Sequence, residues 1–337
     1  MKIDVFNHIL PKTYFEKILE VSPQTKDMRQ RIRRIPCLVD VEERFRIMDQ
    51  FEEYVQIICL AQPPVEAFGP PSVSKLLARL ANESMAELVR KYPDRFPGFI
   101  AALPMNDSEG LLIEARRAIQ DLGAVGVQVY THVLGRPLDR PETLPLFDLM
   151  AELDRPLWLH PARGADFPDY KSESKSHYEI WWTFGWPYDT SVTMAHLVFA
   201  GLFDRHPNLK IITHHLGAMI PYFEGRIGPG WDQLGARTSD VDYFQLLKKL
   251  KRRPIDYFRM FYADTALFGA REPTICGLKF FGADKVLFAS DSPFDPEKGS
   301  AYIRWTIEVI ESLDLSREEK KAVYEGNIRR LTGLKTR

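Results

Sequence analysis

Cysteine is scarce in this chain, and so are long apolar runs and any excess of charge. The three cysteines, Cys37, Cys59 and Cys276, are odd in number, widely spaced and without a CxxC pattern. They argue against a disulfide framework or a zinc knuckle and favour buried thiols in a reducing compartment.

The absence of long apolar runs and the balanced charge argue against further classes of protein. No segment approaches the roughly 20 apolar residues of a membrane span, and the N-terminus enters a strand pattern without the regions of a signal peptide. The formal net charge of −1 offers no field to attract nucleic acid or an anionic membrane. We therefore expect a cytoplasmic protein whose partner is a small-molecule substrate.

What the chain does have is a repeated alternation of short apolar runs and amphipathic segments. Eight runs have the length of strands: 3–8, 54–60, 98–103, 125–130, 156–160, 209–214, 259–264 and 286–290. Most gaps between them carry apolar residues at the 3.6-residue period of a helix. The alternation predicts an α/β protein with a parallel sheet, in its commonest closed form a (β/α)8 TIM barrel, built as a single domain over residues 1–337.

Two connections are longer than this repeat needs, and we interpret them as insertions after strands 1 and 5. They are residues 9–46, with a basic run that includes Arg33 and Arg34, and residues 161–190. The second insertion is rich in aromatic residues: Trp181, Trp182, Phe184 and Trp186. Long loops on the C-terminal face shape pockets, so these rings are suited to wall a planar substrate or to pack against a second subunit. We expect a homodimer or a homotetramer.

Side chains that can bind a metal close four of the apolar runs: His8, His160, the pair His214–His215, and Asp291. Parallel barrels build their active sites at the C-terminal ends of the strands, so these side chains should converge. Any one of them alone is more often a hydrogen-bonded histidine or a capping aspartate. Together they favour a site, in which His8, His160 and Asp291 are the right types at the right positions to hold a divalent metal.

The adjacent histidines need separate interpretations. Neighbouring residues on a strand point to opposite faces, so only one of the two should face the barrel interior. His215 stands where a loop begins and is the predicted catalytic base, whereas His214 is predicted to be a packed, hydrogen-bonded histidine. Asp264, at the end of the seventh run, is suited either to orient a ligand or to cap the next helix.

Four further residues are candidates for contact with substrate. Arg163, three residues after His160, is suited to bind a carboxylate, whereas solvation is the simpler expectation for Arg33 and Arg34. His132 ends the fourth run and is either a substrate contact or a support for the site. Trp181 and Trp186 are the predicted wall residues.

Several motifs, in order along the whole chain, carry a family resemblance. Residues Asp4-Val5-Phe6-Asn7-His8-Ile9-Leu10-Pro11 resemble the opening Asp-x-His-x-His and Ile-Leu-Pro of the aminocarboxymuconate-semialdehyde decarboxylase family of the amidohydrolase superfamily. The other similar motifs are His160-Pro161, His215-x-Gly217, Asp291-Ser292-Pro293-Phe294 and Gly326-Asn327-Ile328-Arg329-Arg330-Leu331. Each motif is short, but the ordered set is specific.

The resemblance implies a barrel with one divalent ion, zinc or manganese, held by His8, His160 and Asp291. It implies a carboxy-lyase that removes a carboxyl group from a small planar acid without an organic cofactor, with His215 and Asp291 acting in catalysis. Two alternatives stay open at this point. One is a hydrolase or hydratase that uses the same centre, and the other is a metal-free binding protein.

One position departs from the family motif. The first ligand position, usually His and sometimes Glu, is Phe6 here, and a phenyl ring cannot bind a metal. Strand alternation predicts that Asp4, Phe6 and His8 share one face. The ion would then have three protein ligands, bind weakly, or be absent, and Phe6→His or Phe6→Glu should strengthen metal binding.

Overall fold

The computed structural model describes residues 1–22 and 34–335, and within them eight parallel strands form one sheet. The strands are β1 (Lys2–Ile9), β2 (Tyr54–Leu60), β3 (Gly98–Ala101), β4 (Gly126–Tyr130), β5 (Leu157–His160), β6 (Ile211–Thr213), β7 (Tyr262–Asp264) and β8 (Val286–Leu287). Consecutive strands are neighbours in the sheet. Val5 N donates to Phe288 O over 2.9 Å and Asp291 N donates to Phe6 O over 3.0 Å, so β1 meets the segment that follows β8. The predicted (β/α)8 barrel is confirmed.

Helices occupy the connections. They are α1 (Lys12–Val21), α2 (Val41–Met48), α3 (Pro71–Lys91), α4 (Gly110–Gln120), α5 (Leu144–Glu152), α6 (Ile180–Thr183), α7 (Gly185–Phe199), α8 (Leu202–Arg205), α9 (Glu224–Asp232), α10 (Tyr243–Lys249), α11 (Pro254–Phe258), α12 (Arg271–Phe281), α13 (Ala301–Ser312), α14 (Arg317–Lys321) and α15 (Asn327–Thr332). A short ribbon pairs His132–Val133 with Arg136–Pro137. In the described ranges, no helix has both the length and the apolar character to cross a bilayer.

Helix α3 shows how the sequence specifies these segments. Leu77, Ala81 and Met85 recur every four residues and are fully buried, so one face of the helix packs on the barrel. Pro71 lies in the first turn, where a helix has no intrahelical partner for its N–H groups, so the missing N–H of proline costs nothing. Arg90 and Lys91 lie in the last turn, where their positive charges interact favourably with the helix dipole.

The interior of the barrel is filled with apolar side chains below its mouth. Val5, Ile57, Ile100, Trp158 and Leu287 belong to this inner cluster and are fully buried. The ring of Trp158 fits because β4 has a glycine opposite it: a Cβ on Gly126 would lie 2.5 Å from the indole and 2.3 Å from Pro156 O. The barrel is therefore closed at its lower end.

A register shift in β1 corrects one prediction. Asp4 pairs with Gln56 but Asn7 pairs with Ile58, so the strand carries an extra residue between them. Phe6 consequently joins Ile3 and Val5 in the inner cluster, whereas Asp4 bonds to Tyr54 and Ser290. The prediction that Asp4, Phe6 and His8 share one face is wrong for Asp4, because alternation does not persist through a bulge.

The two long connections differ in how much helix they contain. The first carries α1, a 3-10 turn at Pro36–Leu38 and α2, and its residues 23–33, Arg33 among them, lie outside the described residues. The second is irregular from 161 to 179 and then forms α6 and the start of α7.

Candidate metal centre

Four buried side chains meet at the mouth of the barrel: His8, His160, His214 and Asp291. One donor atom from each lies within 4.8 Å of the donor atoms of the others. They come from the ends of β1 and β5 and from the segments that follow β6 and β8. We call them the histidine–aspartate cluster. The structure thus brings the three predicted ligands together and adds His214, which is packed and hydrogen-bonded as predicted but also faces the cluster.

Each histidine of the cluster has a neighbour at its Nδ1, which we call the outer nitrogen because it faces away from Asp291; the inner nitrogen is Nε2. His160 Nδ1 donates to Pro161 O over 2.6 Å, and His214 Nδ1 donates to Asp264 Oδ2 over 2.6 Å. His8 Nδ1 lies 3.4 Å from Cys59 Sγ. Metal-binding histidines are commonly oriented in this way, because a bond at one ring nitrogen fixes the tautomer and aims the other nitrogen.

The inner nitrogens point at Asp291. His8 Nε2 lies 2.9 Å from Asp291 Oδ1 and His214 Nε2 lies 3.5 Å from the same oxygen. His214 Nε2 is buried and has no hydrogen-bond partner among the described residues. A buried nitrogen without a partner is costly unless a ligand completes it, so the cluster fits a cation.

The chain corner after β6 brings both adjacent histidines to the same side. The strand ends at Thr213, and His215 and Leu216 take positive φ angles of 53° and 52°. The rings of His214 and His215 lie 3.8 Å apart, and His215 Nε2 is 3.7 Å from Asp291 Oδ2. The prediction that only one of them faces the interior is wrong, because alternation applies within a strand and these residues follow its end.

Electrostatics at the cluster favour a positive charge beside Asp291. Burial opposes charge on His214, but the carboxylates of Asp264 and Asp291 outweigh burial and raise its pKa to about 9. Burial likewise disfavours an ionised Asp291, yet its three histidine neighbours hold its pKa well below the usual value. Burial, together with the nearby His8 and His214, lowers the pKa of His160 far below its usual value. These shifts keep His160 neutral and Asp291 ionised, the forms that bind metals, whereas His214 would have to release its proton before its Nε2 could bind one.

A cavity of about 390 Å³ opens above the cluster. His160 and Asp291 form part of its lining, and six aromatic side chains form most of its wall: Trp181, Trp182, Trp186, Phe268, Phe294 and Tyr302. Arg34 and Glu179 contribute charged groups. A larger but more open groove runs between α4 and α5 on the outer surface, and it contains none of the strand-end residues. The enclosed cavity at the cluster is therefore the better candidate for a binding site.

The predicted substrate contacts are divided between the cavity and its surroundings. Trp181 and Trp186 line the cavity, whereas Phe184 projects away from it and is 75% exposed. Arg163 pairs with Asp189 at 3.4 Å, and its carbonyl oxygen accepts a hydrogen bond from Trp186 Nε1 over 2.9 Å. Arg163 thus lies behind the wall.

His132 also lies outside the lining of the cavity. Its ring stacks on Phe167 at 5.3 Å between centroids, and its Nδ1 accepts a hydrogen bond from Gly135 N. His132 Nε2 is buried and has no partner in the described part of the chain.

Sequence reasoning missed several lining residues, although two carried a signal. Gln62 follows β2 by two residues, so the strand-end argument that selected His160 applies to it. Phe294 belongs to the Asp291-Ser292-Pro293-Phe294 motif. Phe268 lies in the loop after β7, and Tyr302 lies in the first turn of α13. Nothing in the sequence around either residue distinguishes it from an ordinary core aromatic.

Comparison with known proteins gives a consistent family assignment. The model of the family described as amidohydrolase matches residues 39–334. The chain is 32% identical over 310 residues to a gamma-resorcylate decarboxylase of Polaromonas sp. (strain JS666), covering 87% of this chain and 88% of that protein. It is 30% identical over 252 residues to the 2-amino-3-carboxymuconate-6-semialdehyde decarboxylase of Dictyostelium discoideum, covering 74% of this chain and 66% of that protein.

A solved structure supports the same assignment. The dihydroxybenzoic acid decarboxylase of Polaromonas sp. JS666, with bound manganese and the inhibitor 2-nitroresorcinol, superposes with a TM-score of 0.79 at 28% identity. The match covers 100% of this chain and 98% of that one. The resemblance drawn from the short motifs is thereby confirmed over the whole fold.

Proposed function

The chain belongs to the amidohydrolase family, and from this premise we propose that it is a metal-dependent, non-oxidative decarboxylase of small aromatic carboxylic acids. The observation that carries the proposal is that the histidine–aspartate cluster, through His160 and Asp291, lines a cavity walled by aromatic rings. The Polaromonas and Dictyostelium relatives described above are both decarboxylases, which supports the reaction class.

The donor set fits one divalent ion. Imidazole nitrogens and a carboxylate suit zinc and similar transition metals, and the Polaromonas relative was solved with manganese. We propose zinc or manganese, with His8, His160 and Asp291 as ligands. When bound, the ion would polarise an oxygen of the substrate or of water and neutralise negative charge.

The walls of the cavity suit a flat, partly apolar substrate. Indole and phenyl rings bind a planar ring through offset or edge contacts. Trp186 is fixed by its bond to Arg163 O, and Trp182 Nε1 donates to Glu179 over 2.9 Å, so two of the rings have defined orientations. A planar substrate that fills the space between these rings would displace water from the floor, which would strengthen electrostatic interactions there.

His215 is the proposed proton carrier. Decarboxylation breaks a carbon–carbon bond and leaves a carbon that must gain a proton, so a group next to the substrate must deliver it. His215 is 7% exposed, and its Nδ1 has no partner among the described residues. Its ring lies 6.5 Å from that of Trp186 and 5.6 Å from that of Phe268, both of which line the cavity. These contacts with lining residues support a position for His215 beside the space for substrate.

The test is product analysis on protein loaded with zinc or manganese. Hydroxybenzoic acids labelled with ¹³C at the carboxyl carbon should release labelled carbon dioxide, and Asp291→Asn should abolish the release. Assays in ¹⁸O-water separate the rival chemistry. Products that incorporate solvent oxygen, without release of carbon dioxide, would establish a hydrolase or hydratase instead.

A further inference from the structure

The β1 position that should supply a metal ligand is filled by an apolar ring. Phe6 is fully buried among the histidines, with its ring centroid 5.4 Å from that of His8 and 5.5 Å from that of His160. Its nearest ring is His214, at 4.2 Å between centroids and 59° between planes. Phe6 therefore occupies the space next to the cluster without giving it a donor, and it limits where the His214 ring can lie.

His214 has the contacts of a ligand and lacks those of a structural histidine. It is 0% exposed, its Nδ1 is hydrogen-bonded to Asp264, and its Nε2 has only an ionic contact, 3.5 Å from Asp291 Oδ1. A histidine retained only for packing would be expected to use both nitrogens or to expose one to water. The Nε2 of His214 makes no hydrogen bond within the described residues, is not exposed, and is directed at the carboxylate of Asp291, the proposed metal ligand.

Asp264 fixes the corner that presents His214. Its Oδ2 accepts from His214 Nδ1, and its Oδ1 accepts from His215 N over 3.1 Å and from Ala266 N over 3.0 Å. One carboxylate thus orients the ring and holds the backbone turn at the same time. This is the arrangement of a carboxylate that supports a metal-bound histidine.

We infer that His214 supplies the metal ligand that Phe6 cannot, so that the fourth protein ligand has moved from β1 to the corner after β6. The inference rests on the proposed metal-dependent function, and it changes an earlier expectation. With His214 in place, Phe6→His alone should alter the affinity for metal little, whereas the sequence alone predicted a gain.

The sharpest variant is His214→Asn. The asparagine amide can take the place of Nδ1–H and keep the bond to Asp264, but it removes Nε2. We expect the Zn²⁺ affinity of chelator-stripped protein, measured by competition with a chromogenic chelator, to fall by roughly 100-fold or more. Asp264→Asn removes only the carboxylate that accepts from His214 Nδ1, and it should lower the affinity for Zn²⁺ by about 10- to 100-fold. His196→Asn is the matched control at an exposed position, where the imidazole pairs with Asp139.

The reciprocal variant tests the relocation itself. Phe6→His in the His214→Asn background should recover much of the lost affinity, because it restores a donor on β1. If His214→Asn binds Zn²⁺ as His196→Asn does while His160→Asn loses it, then His214 is structural and the inference fails, although the proposed metal-dependent function survives. If the wild type and all variants bind no Zn²⁺ or Mn²⁺, both fail.

X-ray absorption spectroscopy of the zinc-loaded wild type needs no substitution and guards against a variant that does not fold. Three imidazoles in the first coordination shell support the inference. Two imidazoles overturn it.

Discussion

Two buried polar networks lie on either side of β1, and they differ in completeness. On the outer side, Arg44 donates from Nε to Cys37 O, from Nη1 to Asn7 Oδ1 and Gln56 Oε1, and from Nη2 to His8 O. Asp4 accepts from Phe6 N, Tyr54 Oη and Ser290 in the same region. We call this set the Arg44 network. None of its side-chain polar atoms lacks a partner in the described ranges.

The histidine–aspartate cluster, on the inner side, is the incomplete one. His214 Nε2 and His215 Nδ1 have no partners among the described residues, although both residues are buried. Both networks include residues of β1, and both are buried. We infer that the Arg44 network stabilises the fold, whereas the free nitrogens of the cluster, which lie together beside Asp291 and the cavity, are available to a ligand.

The largest effect should come from breaking the complete network. Arg44→Met leaves the oxygens of Gln56, Asn7 and two backbone carbonyls without donors, and we expect the free energy of unfolding to fall by about 3–5 kcal/mol. Urea denaturation of the chelator-stripped protein measures it. Arg46→Met, on the exposed face of the same helix α2, is the control and should change stability by about 0.5 kcal/mol or less. A loss from Arg44→Met as small as that of the control would mean that the network does not stabilise the fold.

Glu66 belongs to neither network, and it shows what a buried polar group without a hydrogen-bond partner costs the fold. Neither carboxylate oxygen has a partner in the described ranges, and burial raises its pKa to about 7. The folded protein therefore holds this proton more tightly than the unfolded chain, and stability present at low pH is lost as the pH rises from about 4.5 through 7. A shift of this size corresponds to about 3 kcal/mol.

The test for Glu66 is the pH dependence of unfolding. Relative to wild type, Glu66→Gln should gain about 3 kcal/mol of unfolding free energy between pH 5 and pH 8, with Glu16→Gln on α1 as the exposed control. Parallel pH profiles for wild type and Glu66→Gln would show that Glu66 does not carry this penalty.

The next effect should come from the incomplete network and should be kinetic. His215→Ala should lower turnover by roughly 100-fold or more, the scale of general acid–base catalysis, and leave the metal content near that of wild type. Turnover of the loaded enzyme and its metal content, measured on the same preparation, check this. Unchanged turnover would remove His215 from the proton-transfer step.

The sequence predicted the barrel and three members of the cluster because both follow from local patterns. Apolar runs fixed the eight strands, and the ends of those runs identified His8, His160 and Asp291. The same rule failed where regular strand geometry stops. A bulge turned Asp4 outward, and a left-handed corner turned His214 and His215 to one side.

Other features depend on contacts between distant segments and have no local signature. The salt bridge of Arg163 with Asp189 spans 26 residues and directs the guanidinium away from the role suggested by its position after β5. Phe268 and Tyr302 reach the cavity from separate connections, with ring centroids 4.4 Å apart. Only the closed barrel brings such residues together.

The inner apolar cluster around Trp158 fills the barrel below the metal centre, so the barrel interior offers the cavity no second exit. We therefore expect substrate and products to share the opening at the mouth. The proposed reaction makes two products from one substrate, so the products share one exit. Carbon dioxide is small enough to diffuse out while the aromatic product is still bound. The larger aromatic ring would leave less easily while carbon dioxide occupied the opening. For the proposed reaction we therefore expect carbon dioxide to leave before the aromatic product, and high concentrations of the aromatic product to inhibit in competition with substrate.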